Sequence, residues 1–126
     1  MSAFYAFVTA IIMSFTQVGE VPHSTLEKAI ESNNSKQIVA LSKDKVMVDI
    51  LGTEGVYGHA QAELVLKGFF SKHPKGTFDY TYEGSPTKDG AFAIGTYKTG
   101  GNSYRITIHY LKIGAGFKVE SIAVEK

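Results

Sequence analysis

The chain has 126 residues, 44% hydrophobic and 20% charged, with 13 basic and 12 acidic side chains and a formal charge of +1. That length supports one domain with its own core, and that composition excludes a disordered or collagen-like chain. The balanced charge leaves no electrostatic footprint for nucleic acid or anionic lipid, and the absence of cysteine excludes disulfides, thiolate nucleophiles and Cys-ligated zinc.

From Ala3 to Phe15 the chain is apolar apart from Thr9 and Ser14, and no charged side chain precedes Glu20. A run of this length suits the apolar region of a signal peptide and is too short to span a bilayer. We therefore read residues 1–20 as a signal peptide and residues 21–126 as a single α+β domain, exported to the periplasm or secreted, with no stable membrane span in the mature chain. A buried first helix is the other reading, because no Lys or Arg precedes the run and Ser14 and Thr16 make a poor cleavage pattern.

Pro22, then Ser24 and Glu27 in capping-box spacing, predict a helix start, since each side chain can satisfy the other residue's free backbone N–H. Leu26, Ala29 and Ile30 form its apolar stripe, and Asn33-Asn34 ends it. Ser35 is read as the cap of a second short helix carrying Ile38, Val39 and Leu41. Val46, Val48 and Ile50 then alternate as an inward strand face with Asp49 outward, and Gly52 to Gly55 turns the chain.

The clearest helix runs from about His59 to His73, with Ala62, Val65, Leu66, Phe69 and Phe70 on one face and Pro74 after it. From Thr77 the period becomes two. Breaks at Gly84 to Gly90, Gly100 to Asn102 and Gly114 to Gly116 predict four antiparallel strands in a meander.

Folding these strands at mid-turn assigns Phe78, Tyr80, Tyr82, Ala93, Gly95, Tyr97, Tyr104, Ile106, Ile108, Tyr110, Ile122 and Val124 to the helix side. Asp79, Thr81, Glu83, Thr96, Lys98, Arg105, Thr107, His109 and Ser121 go to the other face, interrupted by Ile94, Leu111, Val119 and Ala123. The small residues Ala93 and Gly95 leave room for a cavity beside the tyrosines.

The order of elements resembles the nuclear transport factor 2-like, or cystatin-like, superfamily of cone-shaped α+β rolls. Val56-Tyr57-Gly58-His59-Ala60-Gln61-Ala62-Glu63, Phe69-Phe70-Ser71-Lys72-His73-Pro74, Ala93-Ile94-Gly95-Thr96-Tyr97, Thr99 and Tyr104-Arg105-Ile106 resemble an uncharacterised family of small exported bacterial proteins in it. The likeness covers about residues 22–126 and implies the roll without implying an activity. Gly58 departs from the serine such proteins tend to carry as helix cap, which costs about a few tenths of a kcal/mol.

Two candidate sites follow. Tyr57, Tyr80, Tyr82, Tyr97, Tyr104 and Tyr110 would line a pocket inside the cone, each giving apolar area and an orienting hydroxyl, or would simply fill the core. Asp79, Arg105 and His109 are the candidates on the outer sheet face, where Arg105, beside Thr96 and near Asp79 and Glu125, would form a clamp for an anion or carboxylate or would merely join a cross-strand charge network worth about 0.2–1 kcal/mol per pair.

The histidines His23, His59, His73 and His109 lack the spacing of a helical metal site, His59 and His73 being read as solvated helix ends. No catalytic motif or cofactor signature is present, and no carboxylate falls on the inferred helix side. The leading expectation is a non-catalytic module binding a small apolar or aromatic ligand or a protein partner. An isomerase- or hydratase-like enzyme in the cone is one alternative, and a structural homodimer through Ile94, Leu111 and Val119 the other.

Overall fold

A computed structural model describes residues 20–126. The signal-peptide reading falls, but for Glu20, outside the described residues. The elements run α1 (His23–Glu31), α2 (Ser35–Ala40), β1 (Ser42–Ile50), β2 (Thr53–Tyr57), α3 (His59–Lys72), β3 (Thr77–Glu83), β4 (Gly90–Thr99), β5 (Asn102–Ile113) and β6 (Gly116–Glu125). The strands make one six-stranded sheet in the order β2-β1-β6-β5-β4-β3, antiparallel except where β1 joins β6.

The helix ends differ in detail from the expected caps. At the start of α1, Pro22 holds the cap position and Ser24 makes no capping bond, so the capping box does not form. Pro there has no N–H to leave unsatisfied. The end of α1 is a Schellman motif: Asn33 takes φ 55, while Asn34 N–H donates to Ala29 O at 2.8 Å and Asn33 N–H to Ile30 O at 3.0 Å. Asn34, not Ser35, caps α2 by accepting from Gln37 N–H at 3.1 Å. Gly58 caps α3 without a side-chain bond.

The turn after β1 is tighter than expected. Leu51 (φ 54) and Gly52 (φ 96) alone form it, and Thr53 to Tyr57 return as a strand paired with Val46 to Ile50. Positive φ at both central residues is the two-residue hairpin geometry that matches strand twist. Asp49 faces away from the core and accepts from Gly52 N–H at 3.0 Å, holding that turn.

The core lies between the helices and one face of the sheet. Leu26, Ile30, Ile38, Ala62, Leu66, Phe69 and Phe70 from the helices meet Val46, Val48, Phe78, Tyr97, Ile106, Ile108, Ile122 and Val124. The stripe expected on α3 is thus the buried one, with Val65 at its half-buried edge.

Three residues assigned by strict alternation, Tyr82, Glu83 and Val119, sit on the opposite face, and in each case a bulge is the cause. In β3, Tyr80 pairs with Gly95 but Tyr82 pairs with Ile94, so Thr81 is an extra residue and Tyr82 turns outward. In β6, Val119 pairs with Tyr110 but Ser121 with His109, so Glu120 is extra and Val119 turns inward, fully buried. The homodimer surface expected from Ile94, Leu111 and Val119 therefore loses Val119 to the core.

Candidate functional site

The proposed tyrosine pocket separates into three parts. Tyr97 is fully buried, and its hydroxyl donates to His73 O at 2.7 Å while accepting from Asn33 Nδ2 at 2.9 Å and Gly76 N–H at 3.2 Å. That hydroxyl fastens α1, α3 and the approach to β3. Tyr104 is buried with its hydroxyl 3.2 Å from His73 Nδ1, and Tyr57 packs half-buried on the core. These rings fill the cone. His73, expected at a solvated helix end, instead packs its ring between Phe69 and Tyr104 at centroid distances of 4.8 and 4.9 Å.

Tyr80 and Tyr110 stand together at the other end. The Tyr80 hydroxyl donates to His23 O at 2.6 Å, and the His23 ring meets both phenols edge-on at 5.4 and 5.5 Å. The bulge at Thr81 pairs Glu83 with Ala93 on the helix side and brings it 4.0 Å from His23 Nδ1. The helix side thus carries a carboxylate, contrary to the strict alternation.

The Tyr110 hydroxyl lies beside that of Tyr80, outside hydrogen-bonding geometry, and is buried without a partner. Burial raises the pKa of both phenols above the ordinary tyrosine value. Next to burial, the Tyr80 phenol and Glu83 push Tyr110 further up, and Glu27 and Glu83 add to the rise at Tyr80.

A phenol whose folded pKa lies above its unfolded value contributes stability that is complete below about pH 10 and is lost as pH rises from there toward the folded pKa. Stability should therefore fall in alkali as the unfolded chain releases protons that Tyr80 and Tyr110 retain. Removing an unpartnered buried hydroxyl costs little, so Tyr110→Phe should leave neutral-pH stability unchanged or raise it by about 1 kcal/mol, and should flatten the alkaline loss. Denaturant melts between pH 7 and 11 measure both; a variant losing stability at neutral pH would show that the hydroxyl is paired.

On the outer face, Arg105 lies where the registry put it, between Thr96 and Glu125, with Asp79 beyond Thr96. Its guanidinium donates to Glu125 Oε2 at 2.7 Å, both side chains being more than half exposed, so it forms an ordinary surface ion pair. Asp79 and Arg105 make no ion pair with each other, and His109 lies apart from both.

His109 belongs to a different constellation. Phe92 stacks on it at 5.7 Å with an interplanar angle of 23°, and Tyr82 lies 5.1 Å from Phe92 on the other side. The three rings form a row across β3, β4 and β5. Tyr82 is 50% and Phe92 39% exposed, and Met47 on β1 is 37% exposed beyond Ser121. The row floors an open groove of about 740 Å³ walled by the β3–β4 loop and by Leu111 and Glu120. Phe92, Met47 and Glu120 were not singled out from sequence. Among the described residues no cluster of His, Asp or Glu gathers as a metal site requires, and no helix is long and apolar enough to cross a membrane.

These elements define an α+β roll, with helices packed on one face of a curved sheet, and solved structures bear the class out. A protein with a cystatin-like fold from Nostoc punctiforme superposes with a TM-score of 0.65 at 11% identity, covering 82% of this chain and 71% of that one. A nuclear transport factor 2-like protein of unknown function from Silicibacter pomeroyi superposes with a TM-score of 0.59 at 11% identity, covering 98% and 96%.

Residues 23–125 match the family model described as "Domain of unknown function (DUF4783)", and the chain belongs to that family. A member from Bacteroides uniformis has the same fold, with a TM-score of 0.78 at 24% identity, covering 85% of this chain and 97% of that one. No curated protein matches the chain.

Proposed function

We propose that this chain is a non-catalytic module of an exported protein and binds a small apolar or aromatic ligand on its outer sheet face. The observation that carries the reading is the exposed row Tyr82, Phe92 and His109 in its groove. Rings left partly open on a sheet lose hydration cost when a flat apolar surface covers them, and a groove of about 740 Å³ lies in the size range of small-molecule sites. The cone interior is the weaker candidate, because Tyr97 and Tyr104 are packed into it with bonded hydroxyls.

Phe92 is the centre of the row, so Phe92→Ala should weaken binding of a planar probe such as indole by about tenfold, a loss near 1.4 kcal/mol. Isothermal titration of both proteins measures this, with a melt to verify the fold. Equal affinity for the two would sink the reading. Export is supported by the apolar run before Glu20; a chain retained in the cytoplasm with the run still attached would contradict it.

One observation favours a second reading, an isomerase- or hydratase-like enzyme: Glu83, His23, Tyr80 and Tyr110 meet at one end of the helix side. An imidazole or carboxylate beside phenols suits proton transfer next to a carbonyl. Small ketones incubated in D₂O report it. Deuterium uptake that vanishes in Glu83→Gln would favour the enzyme, and uptake at the buffer rate would remove it.

A further inference from the structure

We infer that the outer groove selects a small organic cation, a compact ring or alkyl group carrying an ammonium. The inference rests on the binding reading above and names the ligand's charge. The groove's lining includes the carboxylates Asp89 and Glu120 and no Lys or Arg. Glu120 is the extra residue of the β6 bulge, a device that re-aims a side chain out of the regular alternation. It is half-buried, and among the described residues it has no ion pair: the pairs found are His23 with Glu83 and Arg105 with Glu125.

A carboxylate beside apolar surface and without a paired cation is available as the partner of a ligand's ammonium. The aromatic row next to it presents rings whose electron-rich faces attract cations. The bulges at Thr81 and Glu120 therefore act together: one turns Tyr82 onto this face and the other supplies the anion. Negative charge, open rings and the absence of Lys and Arg from the lining complement a cation, and the groove's volume of about 740 Å³ suits a free small molecule.

The test compares three soluble probes of matched shape by NMR titration of the full domain: benzylammonium, benzyl alcohol and benzoate. Benzylammonium should bind at least about fivefold more tightly than benzyl alcohol, consistent with cation–π attraction at a partly exposed site, and benzoate more weakly than either. The preference should shrink in high salt and disappear in Asp89→Asn/Glu120→Gln, which retains the rings.

Equal binding of benzylammonium and benzyl alcohol would overturn the charge inference and leave the binding reading standing. No shift at Tyr82, Phe92 or His109 with any probe would overturn both. Tighter binding of N-acetyl-lysine-methylamide than of benzylammonium would overturn the small-molecule assignment in favour of a protein side chain.

Discussion

Tyr97→Phe is expected to destabilise the domain by about 2–4 kcal/mol, although it removes a single oxygen. The Tyr97 hydroxyl holds three groups from distant parts of the chain: the His73 carbonyl, the Asn33 amide and the Gly76 N–H. Asn33 is itself committed, because its Oδ1 accepts from Lys75 N–H at 2.9 Å while its backbone takes the left-handed turn that closes α1. Without the hydroxyl, these partly buried donors and the carbonyl lose their partner in a place that water reaches poorly. A urea melt measures the loss, and a change below about 0.5 kcal/mol would show that the network is satisfied by solvent.

Phe78→Ala is expected to cost about 3–5 kcal/mol, the range for emptying a buried aromatic site. Phe78 is fully buried and its ring occupies the space that a side chain on Gly95 would fill. A Cβ at Gly95 would fall on that ring and 2.9 Å from Asp79 O. Gly95→Ala alone should therefore cost about 1–3 kcal/mol by overpacking. In the Phe78→Ala background the ring clash is gone, so the double variant should lose at least about 1 kcal/mol less than the sum. Strict additivity in denaturant melts would mean that the ring and the glycine do not share this space. The space above Gly95, one of the two small residues that suggest a cavity in the sequence, is thus occupied by a neighbour's ring.

The fold was legible where pattern and burial agree. The 3.6-residue stripe Ala62, Leu66, Phe69 and Phe70 lies against the core, and mid-turn folding placed Thr96, Arg105 and Glu125 in register. Alternation fails where a bulge inserts a residue, because the pleat then changes face without any change in residue type. In β6 a signal was present: Phe117 and Val119 keep one phase, Ile122 and Val124 the other, and the slip falls on Glu120-Ser121. In β3 there was none, since Phe78, Tyr80 and Tyr82 alternate without a break although Tyr82 faces outward. The candidate site depends on both bulges, so it was the least legible part. Tyr80 and Tyr110 were each placed on the inward face, while their pairing and the groove residues Phe92 and Glu120 emerged only from the structure.

The central claim is that the cone is filled and the outer row is the receptive surface. Aromatic ¹³C–¹H spectra during an indole titration test it most directly, since every ring reports its own surroundings. Saturable shifts confined to Tyr82, Phe92 and His109, with Phe69, Phe78, Tyr97 and Tyr104 unmoved, are the predicted result. Shifts centred on those interior rings would contradict it, because a ligand would then be entering between α3 and the sheet.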